Sequence, residues 1–198
     1  TVELTSLLDG ILINNRGLHV SGIHHSIPFL FDKDKELIAA AARTKIDNIS
    51  LSFVRTAEDI IEAKKEVLSN NGGPVTFFAK IETSSALDNL GKIFKEVDHV
   101  NVDRGDLSTD VGMLKLPAIQ ERVIESAKRA KKKIYLATQF LKNMELNPVP
   151  LIAEVMDLHN TIKSGVSGVQ LSEETAIGRF PVECVKLVFD TFHQSFSG

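Results

Sequence analysis

The stretch that decides the fold is Val75-Thr76-Phe77-Phe78-Ala79-Lys80-Ile81-Glu82. It is a short apolar run with β-branched and aromatic residues, which is typical of a buried strand, and it ends in charged residues. Four similar runs are found elsewhere in the chain, at intervals of about 24 to 35 residues, the length of a strand plus a crossover helix. The five predicted strands are Ile46–Phe53, Val75–Lys80, His99–Val102, Ile134–Thr138 and Gly168–Ser172. This pattern predicts successive βα units in a parallel sheet.

The segments between these runs carry apolar residues at helical spacing, as the set Ile60, Ile61, Ala63, Val67 and Leu68 illustrates. Another helix is predicted from about Asp32 to Arg43. The region before it differs, because Gly10–Val20 resembles one or two strands around a turn-like cluster. We therefore expect a short N-terminal β appendage or linker ahead of the βα array.

Composition excludes several classes of protein. The chain has 198 residues, of which 43% are hydrophobic and 25% charged, as in an ordinary folded domain. Its net charge of −3 offers no basic field for nucleic acid. The longest apolar runs, such as Pro74–Ala79, are too short to span a bilayer. The single cysteine, Cys184, excludes an internal disulfide framework and fits the core of the last helix. We expect a cytoplasmic protein without a membrane partner.

Charged side chains lie at the end of the second predicted strand. Lys80 and Glu82 are two residues apart, so in extended backbone they project to the same side. Active sites of parallel α/β folds lie at the carboxyl ends of strands, where this pair would suit a small anionic substrate and a metal. The alternative is a partly exposed ion pair that contributes about 0–1 kcal/mol.

The third predicted strand leads into Asp103-Arg104-Gly105-Asp106. If a helix begins after it, the amides of Gly105 and Asp106 would face an anion, and the Asp106 carboxylate would face a cation. Glu82 and Asp106 are therefore a candidate pair of ligands for Mg²⁺ or Mn²⁺. The alternative is a turn with a solvated aspartate.

Two hydroxyl side chains end the last two predicted strands. Thr138 and Ser172 could both reach the same pocket, since the carboxyl ends of parallel strands share one edge. Hydroxyls of this kind more often serve as turn or cap groups, and that alternative stays open for each.

These strand-end motifs, in this order, resemble pyruvate kinase over about Gly17 to Thr191. Two glycines usual in the family are replaced, by Ser108 and Glu173. The matching motifs are Ser52-Phe53-Val54-Arg55, Ala79-Lys80-Ile81-Glu82, Arg104-Gly105-Asp106-Leu107, Ala137-Thr138-Gln139, Asn147-Pro148-Val149-Pro150, Ala153-Glu154, Leu171-Ser172-Glu173-Glu174-Thr175-Ala176-Ile177-Gly178 and Phe180-Pro181.

The resemblance implies phosphoryl transfer between phosphoenolpyruvate and ADP, giving pyruvate and ATP in glycolysis. It implies that Lys80 neutralises charge on the transferring phosphoryl group and the enolate. It also implies that Glu82 and Asp106 hold Mg²⁺ or Mn²⁺. Phosphoryl transfer is mostly positioning and electrostatics, which agrees with the residues found at the strand ends.

The resemblance assigns the remaining site residues as well. The amides of Gly105 and Asp106 would bind the carboxylate of phosphoenolpyruvate or pyruvate. Thr138 would lie beside the enolate carbon that is protonated, with Ser172 in the polar network behind it. The family also implies K⁺, whose ligands would lie on strands that match nothing in this chain.

The implied fold is an α/β TIM barrel with about five of its eight βα units, equivalent to strands four to eight. Residues 1–24 would be a remnant of a β lid domain or a linker, and residues 25–198 a partial catalytic barrel. Five units cannot close such a barrel. We therefore expect a homo-oligomer, or association with a segment that supplies the other strands and the nucleotide contacts.

Two alternatives to a kinase remain. Ile81-Glu82-Thr83 and Gly105-Asp106-Leu107-Ser108 also resemble the metal-binding motifs of metal-dependent pyruvate aldolases, which are lyases that form an enolate without ATP. A non-catalytic pyruvate-kinase-like binding subunit is the other alternative. The motifs around Thr138 and Ser172 favour the kinase over the lyase.

Overall fold

A parallel five-stranded sheet forms the centre of the computed structural model, which describes residues 5–6, 9–11 and 27–196. Each strand pairs with the next one along the chain, and all four pairings are parallel. The five predicted strands and their parallel arrangement are therefore confirmed. The strands are β1 (Asn48–Leu51), β2 (Thr76–Ile81), β3 (His99–Asp103), β4 (Lys133–Ala137) and β5 (Gly168–Gln170).

Helices connect the strands in the way that parallel pairing requires. The helix predicted from Asp32 is confirmed, and it ends one residue later than expected. Two short 3₁₀ turns, Met113–Lys115 and Lys142–Glu145, follow the third and fourth strands. The helices are α1 (Asp32–Thr44), α2 (Ala57–Ser69), α3 (Ser84–Glu96), α4 (Arg104–Val111), α5 (Leu116–Arg129), α6 (Ile152–Lys163), α7 (Glu173–Ala176) and α8 (Pro181–Phe196).

Strand β2 shows how the sequence divides the sheet into two faces. Phe77, Ala79 and Ile81 are buried in one hydrophobic core together with helix residues such as Ile60 and Ile93. The alternate residues of β2 point to the opposite face, because side chains alternate along a strand. Burial of the first set against the helices fixes the register of β2, so its charged end emerges at one edge of the sheet.

The opposite face of the sheet is concave. Asn101 on β3 donates a hydrogen bond from Nδ2 to Oε1 of Gln170 on β5, at 2.7 Å, although β4 lies between these strands. A small cavity of about 270 Å³ on this face is lined by both residues and by Asn48 and Ser50 of β1. The sheet therefore curves enough for its two edge strands to border one cavity, and within the described ranges it does not close into a barrel.

The observed class is α/β with one parallel sheet, as predicted. The β appendage predicted within residues 1–24 falls largely outside the described residues. In the part of the chain that the structure covers, no helix is long and apolar enough to cross a membrane. Cys184 is fully buried in α8, as expected of a core residue.

Candidate active site

An ammonium group lies between two carboxylates where β2 and β3 end. Lys80 Nζ is 2.5 Å from Oε1 of Glu82 and 3.1 Å from Oδ2 of Asp103. The exposed fraction of these side chains is 16% for Lys80, 0% for Glu82 and 8% for Asp103. Burial would lower the pKa of Lys80, but the hydrogen bond to Glu82 and the two negative charges outweigh it and raise that pKa. Lys80 is therefore a largely enclosed group that carries its positive charge at neutral pH.

Glu82 is held from the other side by the backbone at the end of β1. The amide of Phe53 donates to Oε2 of Glu82 at 2.5 Å, and Phe53 adopts a positive φ of 53°. The pKa of Glu82 is raised, because burial outweighs Lys80 and the Phe53 amide, which act to lower it. A nearby cation would favour the charged form of this carboxylate, which is what a metal ligand needs.

Asp106 completes an acidic cluster with Glu82 and Asp103. One carboxylate oxygen from each residue can be chosen so that all three lie within 4.8 Å of one another. Oε1 of Glu82 is buried, and its close contact is the ion pair with the Lys80 ammonium at 2.5 Å. Three carboxyl groups converge beside the Lys80 ammonium, and oxygen ligands are those that Mg²⁺ and Mn²⁺ prefer. The cluster therefore fits a divalent cation.

Thr138 reaches the same cluster from the end of β4. Its Oγ1 accepts a hydrogen bond from the amide of Gly105 at 3.0 Å and donates one to Oδ1 of Asp103 at 3.2 Å. The backbone here is left-handed, with φ of 70° at Thr138 and 59° at Gln139. A β-branched residue rarely adopts this conformation, so the surrounding structure has to stabilise it.

Arg104 provides that stabilisation. Its Nε and Nη2 donate to the carbonyl oxygen of Thr138 at 3.1 and 2.6 Å, and its Nη1 donates to Oδ2 of Asp157 at 2.7 Å. The guanidinium also stacks over the ring of Phe140, 3.9 Å from the ring centroid. Arg104 is buried, and its contacts hold the end of β4 against the start of α4.

Ser172 is placed by a different buried carboxylate. Glu174, which is 1% exposed, accepts hydrogen bonds from the amides of Ser172 and Leu141 at 2.9 and 3.3 Å. The hydrogen bonds of Ser172 run through its backbone to Glu174 and Thr175, and they do not join it to the acidic cluster.

The structure thus brings together most of the predicted site residues. Lys80, Glu82, Gly105, Asp106 and Thr138 meet at the ends of three adjacent strands. The amide of Gly105 donates to the Thr138 hydroxyl, so an anion that binds this amide has to displace that hydroxyl.

Asp103 and Arg104 are the functional residues that sequence reasoning missed. The signal for Asp103 lies in the strand register. Lys80 pairs with Asn101, and Asp103 is two residues further along β3, on the same face of the sheet.

Comparison with known proteins identifies the chain's relatives. The family model described as pyruvate kinase, barrel domain, matches residues 1–185. Pyruvate kinases of Sporosarcina psychrophila, Thermotoga maritima and Geobacillus stearothermophilus are 37%, 35% and 36% identical over 177, 187 and 193 residues. These alignments cover 89%, 94% and 98% of this chain. The chain spans only 30%, 40% and 32% of the length of those relatives.

Proposed function

The chain belongs to the pyruvate kinase family, and on that premise we propose that it carries part of a phosphotransferase active site. The reaction is phosphoryl transfer between phosphoenolpyruvate and ADP, giving pyruvate and ATP. The observation that carries the proposal is the convergence of Lys80, the acidic cluster and Thr138 at one edge of the sheet. Such a transfer depends on fixed charges around the phosphoryl group, and this edge supplies buried charges held by neighbouring strands.

Lys80 has the catalytic role with the clearest physical basis. Its ammonium would neutralise the charge of the transferring phosphoryl group and of the enolate. The raised pKa keeps it protonated at neutral pH, and burial makes its field stronger than it would be in water. Because two carboxylates already hold the ammonium, little reorganisation is needed when the substrate enters.

Glu82 and Asp106 are the proposed ligands of Mg²⁺ or Mn²⁺. When bound, the divalent ion would supply positive charge that polarises the phosphoryl and enolate oxygens. The convergence of three carboxyl oxygens from Glu82, Asp103 and Asp106 supports this assignment. The K⁺ expected from the family would bind elsewhere, on strands that match nothing here.

Thr138, Gly105 and Asp106 are the proposed substrate contacts. The carboxylate of phosphoenolpyruvate or pyruvate would bind the first-turn amides of α4 at Gly105 and Asp106, where the helix dipole favours an anion. At the Gly105 amide, the substrate carboxylate would replace the Thr138 hydroxyl as the hydrogen-bond acceptor. That hydroxyl would then face the enolate carbon that is protonated. Ser172 would belong to the polar network behind Thr138, where Glu174 fixes its backbone.

The sheet is proposed to be strands four to eight of an eight-stranded TIM barrel, within residues 25–198. Its concave curvature supports this assignment, as does the position of β1 and β5 as edge strands of the sheet formed by the described residues. The other strands would come from a further segment of the same protein or from a partner chain, and they would bring the nucleotide contacts. Residues 1–24 would be the remnant of a lid domain or a linker. A glycolytic enzyme of this kind would work in the cytoplasm, with phosphoenolpyruvate and ADP as partners.

The test compares the isolated 198-residue chain with the same chain joined to the segment that supplies the missing strands. Both are assayed for ATP formation from phosphoenolpyruvate and ADP with Mg²⁺ and K⁺. We expect turnover only in the completed protein, because five units leave the barrel open and give the sheet two edge strands.

The outcome separates the alternatives. Robust turnover by an isolated monomer would contradict the partial-barrel assignment. Cleavage or condensation of pyruvate with an aldehyde, independent of ADP, would identify a lyase. Metal-dependent binding of pyruvate without turnover in the completed protein would identify a non-catalytic binding subunit.

A further inference from the structure

We propose that Asp103 is a positioning residue that holds Lys80 and Thr138 at a fixed separation, an inference that rests on the proposed function. Each carboxylate oxygen contacts one of the two groups. Oδ2 lies 3.1 Å from Lys80 Nζ, and Oδ1 accepts the hydrogen bond of Thr138 Oγ1 at 3.2 Å. Asp103 ends β3, which lies between the strands of Lys80 and Thr138. One central carboxylate can therefore set the distance between the two side chains.

The backbone position of Asp103 argues against a purely local role. Asp103 is the N-cap residue of α4, where an aspartate usually accepts hydrogen bonds from the amides of the first turn. Its side chain makes no such bond, and the amide of Gly105 in that turn donates to Thr138 instead. The carboxylate of Asp103 is thus directed into the site and not toward its own helix.

The contacts also fix the directions of the remaining donors. A lysine ammonium has three N–H bonds, and those of Lys80 face Glu82 and Asp103 in two of the three directions. Within the part of the chain that the structure describes, the ion pairs of Lys80 use two of its N–H directions, and the third can serve a substrate oxygen. The hydroxyl of Thr138 has a single proton, and Asp103 accepts it. Asp103 therefore orients both groups before a substrate binds. Such positioning lowers the activation free energy of a reaction.

The same carboxylate adds negative charge where an anionic substrate would bind. A positioning residue of this kind should therefore aid the chemical step while opposing ground-state binding of phosphoenolpyruvate. A residue that only stabilises the fold would change neither kinetic parameter of the folded enzyme. The two roles are separated by measuring kcat and KM independently.

The experiment uses the completed protein with Asp103→Asn, which keeps the shape and removes the charge. We expect kcat to fall by about 10- to 100-fold, while the KM for phosphoenolpyruvate is unchanged or lower. Calorimetry with Mn²⁺ should show affinity within about fivefold of wild type, since Asp103 acts on Lys80 and Thr138. Asp103→Ala should give the same result, a lower kcat with an unchanged or lower KM. It is the second variant in case Asp103→Asn, which places an amide against the Lys80 ammonium, folds poorly.

Asp98→Asn is the matched control. Asp98 immediately precedes β3 at its other end and pairs with Lys132 at 3.0 Å, with 85% of its side chain exposed. It should leave kcat, KM and Mn²⁺ affinity unchanged.

Three results would overturn the role of Asp103. They are a kcat within twofold of wild type in both Asp103 variants, a rise in KM at constant kcat, and a loss of Mn²⁺ affinity of tenfold or more. The last would make Asp103 a metal ligand. In each case a wild-type protein that forms ATP leaves the proposed function intact. A completed wild-type protein that forms no ATP would contradict the proposed function, and the role of Asp103 with it.

Discussion

The carboxyl ends of β2, β3 and β4, called the edge here, differ from the surface beside β1, called the flank, in how fully their side chains are contacted. At the edge, buried charges such as Lys80 and Arg104 each contact several fixed partners. At the flank, residues 27–31, 46 and 48–53 line a mainly apolar cavity of about 660 Å³, and Phe31 and Ile46 are about half exposed. The edge is thus held by contacts within the described chain, whereas the flank leaves apolar surface uncovered there. Substitutions should be felt far more strongly at the edge.

The largest effect is expected from Lys80→Met in the completed protein. Removing a preorganised charge from the site should lower kcat by about 10²–10³-fold with little change in KM, since the charge acts mainly on the transition state. Steady-state kinetics provide the measurement. Lys132→Met is the control, because Lys132 pairs with an exposed aspartate away from the site. A Lys80 variant with wild-type kcat would show that the edge is only structural.

Arg104→Met should produce the next largest change, in stability. The substitution removes two hydrogen bonds to the Thr138 carbonyl and the pairing with Asp157, while the left-handed backbone at Thr138 remains. We expect the free energy of unfolding in urea to fall by about 2–4 kcal/mol.

Arg129→Met is the matched control for that substitution. Arg129 pairs with Glu125 on the surface of α5, with both side chains about 70% exposed, so the change should be below about 0.5 kcal/mol. Equal losses in the two variants would contradict the contrast between buried and exposed charges.

Metal binding should depend on the two proposed ligands at the edge. Glu82→Gln and Asp106→Asn should each weaken Mn²⁺ binding in the completed protein by at least tenfold, about 1.4 kcal/mol, because each removes a charged oxygen ligand. Isothermal titration calorimetry gives the affinities. Glu96→Gln, which alters a surface pair with Lys64, should leave them unchanged. Wild-type affinity in both site variants would remove the metal from the proposal.

The smallest effect belongs to the flank. Ile46→Ala should lower the free energy of unfolding by less than about 1 kcal/mol, since the side chain is 48% exposed. Ile93→Ala in α3, where the side chain is fully buried, should cost about 2–5 kcal/mol in the same urea titration. A large loss at Ile46 would mean that this flank is covered in the protein under test.

The strands and most of the site could be predicted because both depend on local pattern. Apolar runs at βα spacing define β1–β5, and the strand ends of a parallel sheet share one edge, so Lys80, Glu82 and Asp106 could be grouped from sequence alone. Side-chain partners across strands could not be predicted in the same way. The role of Asp103 depends on which side chains β2 and β4 present to it.

Backbone conformation escaped prediction for a related reason. The left-handed turn at Thr138 has no glycine to signal it. It exists because Arg104, which is distant in sequence, binds the carbonyl oxygen of Thr138.

Cys184 gives this protein a built-in reporter of local opening. It is the chain's single cysteine, it is fully buried, and burial raises the pKa of its thiol. Its Sγ lies 3.9 Å from the carbonyl oxygen of Glu174, the residue whose carboxylate holds the amides of Ser172 and Leu141. A thiol reagent therefore reacts with Cys184 when α8 moves away from Glu174 and exposes the thiol. The labelling rate measures how often this local opening occurs.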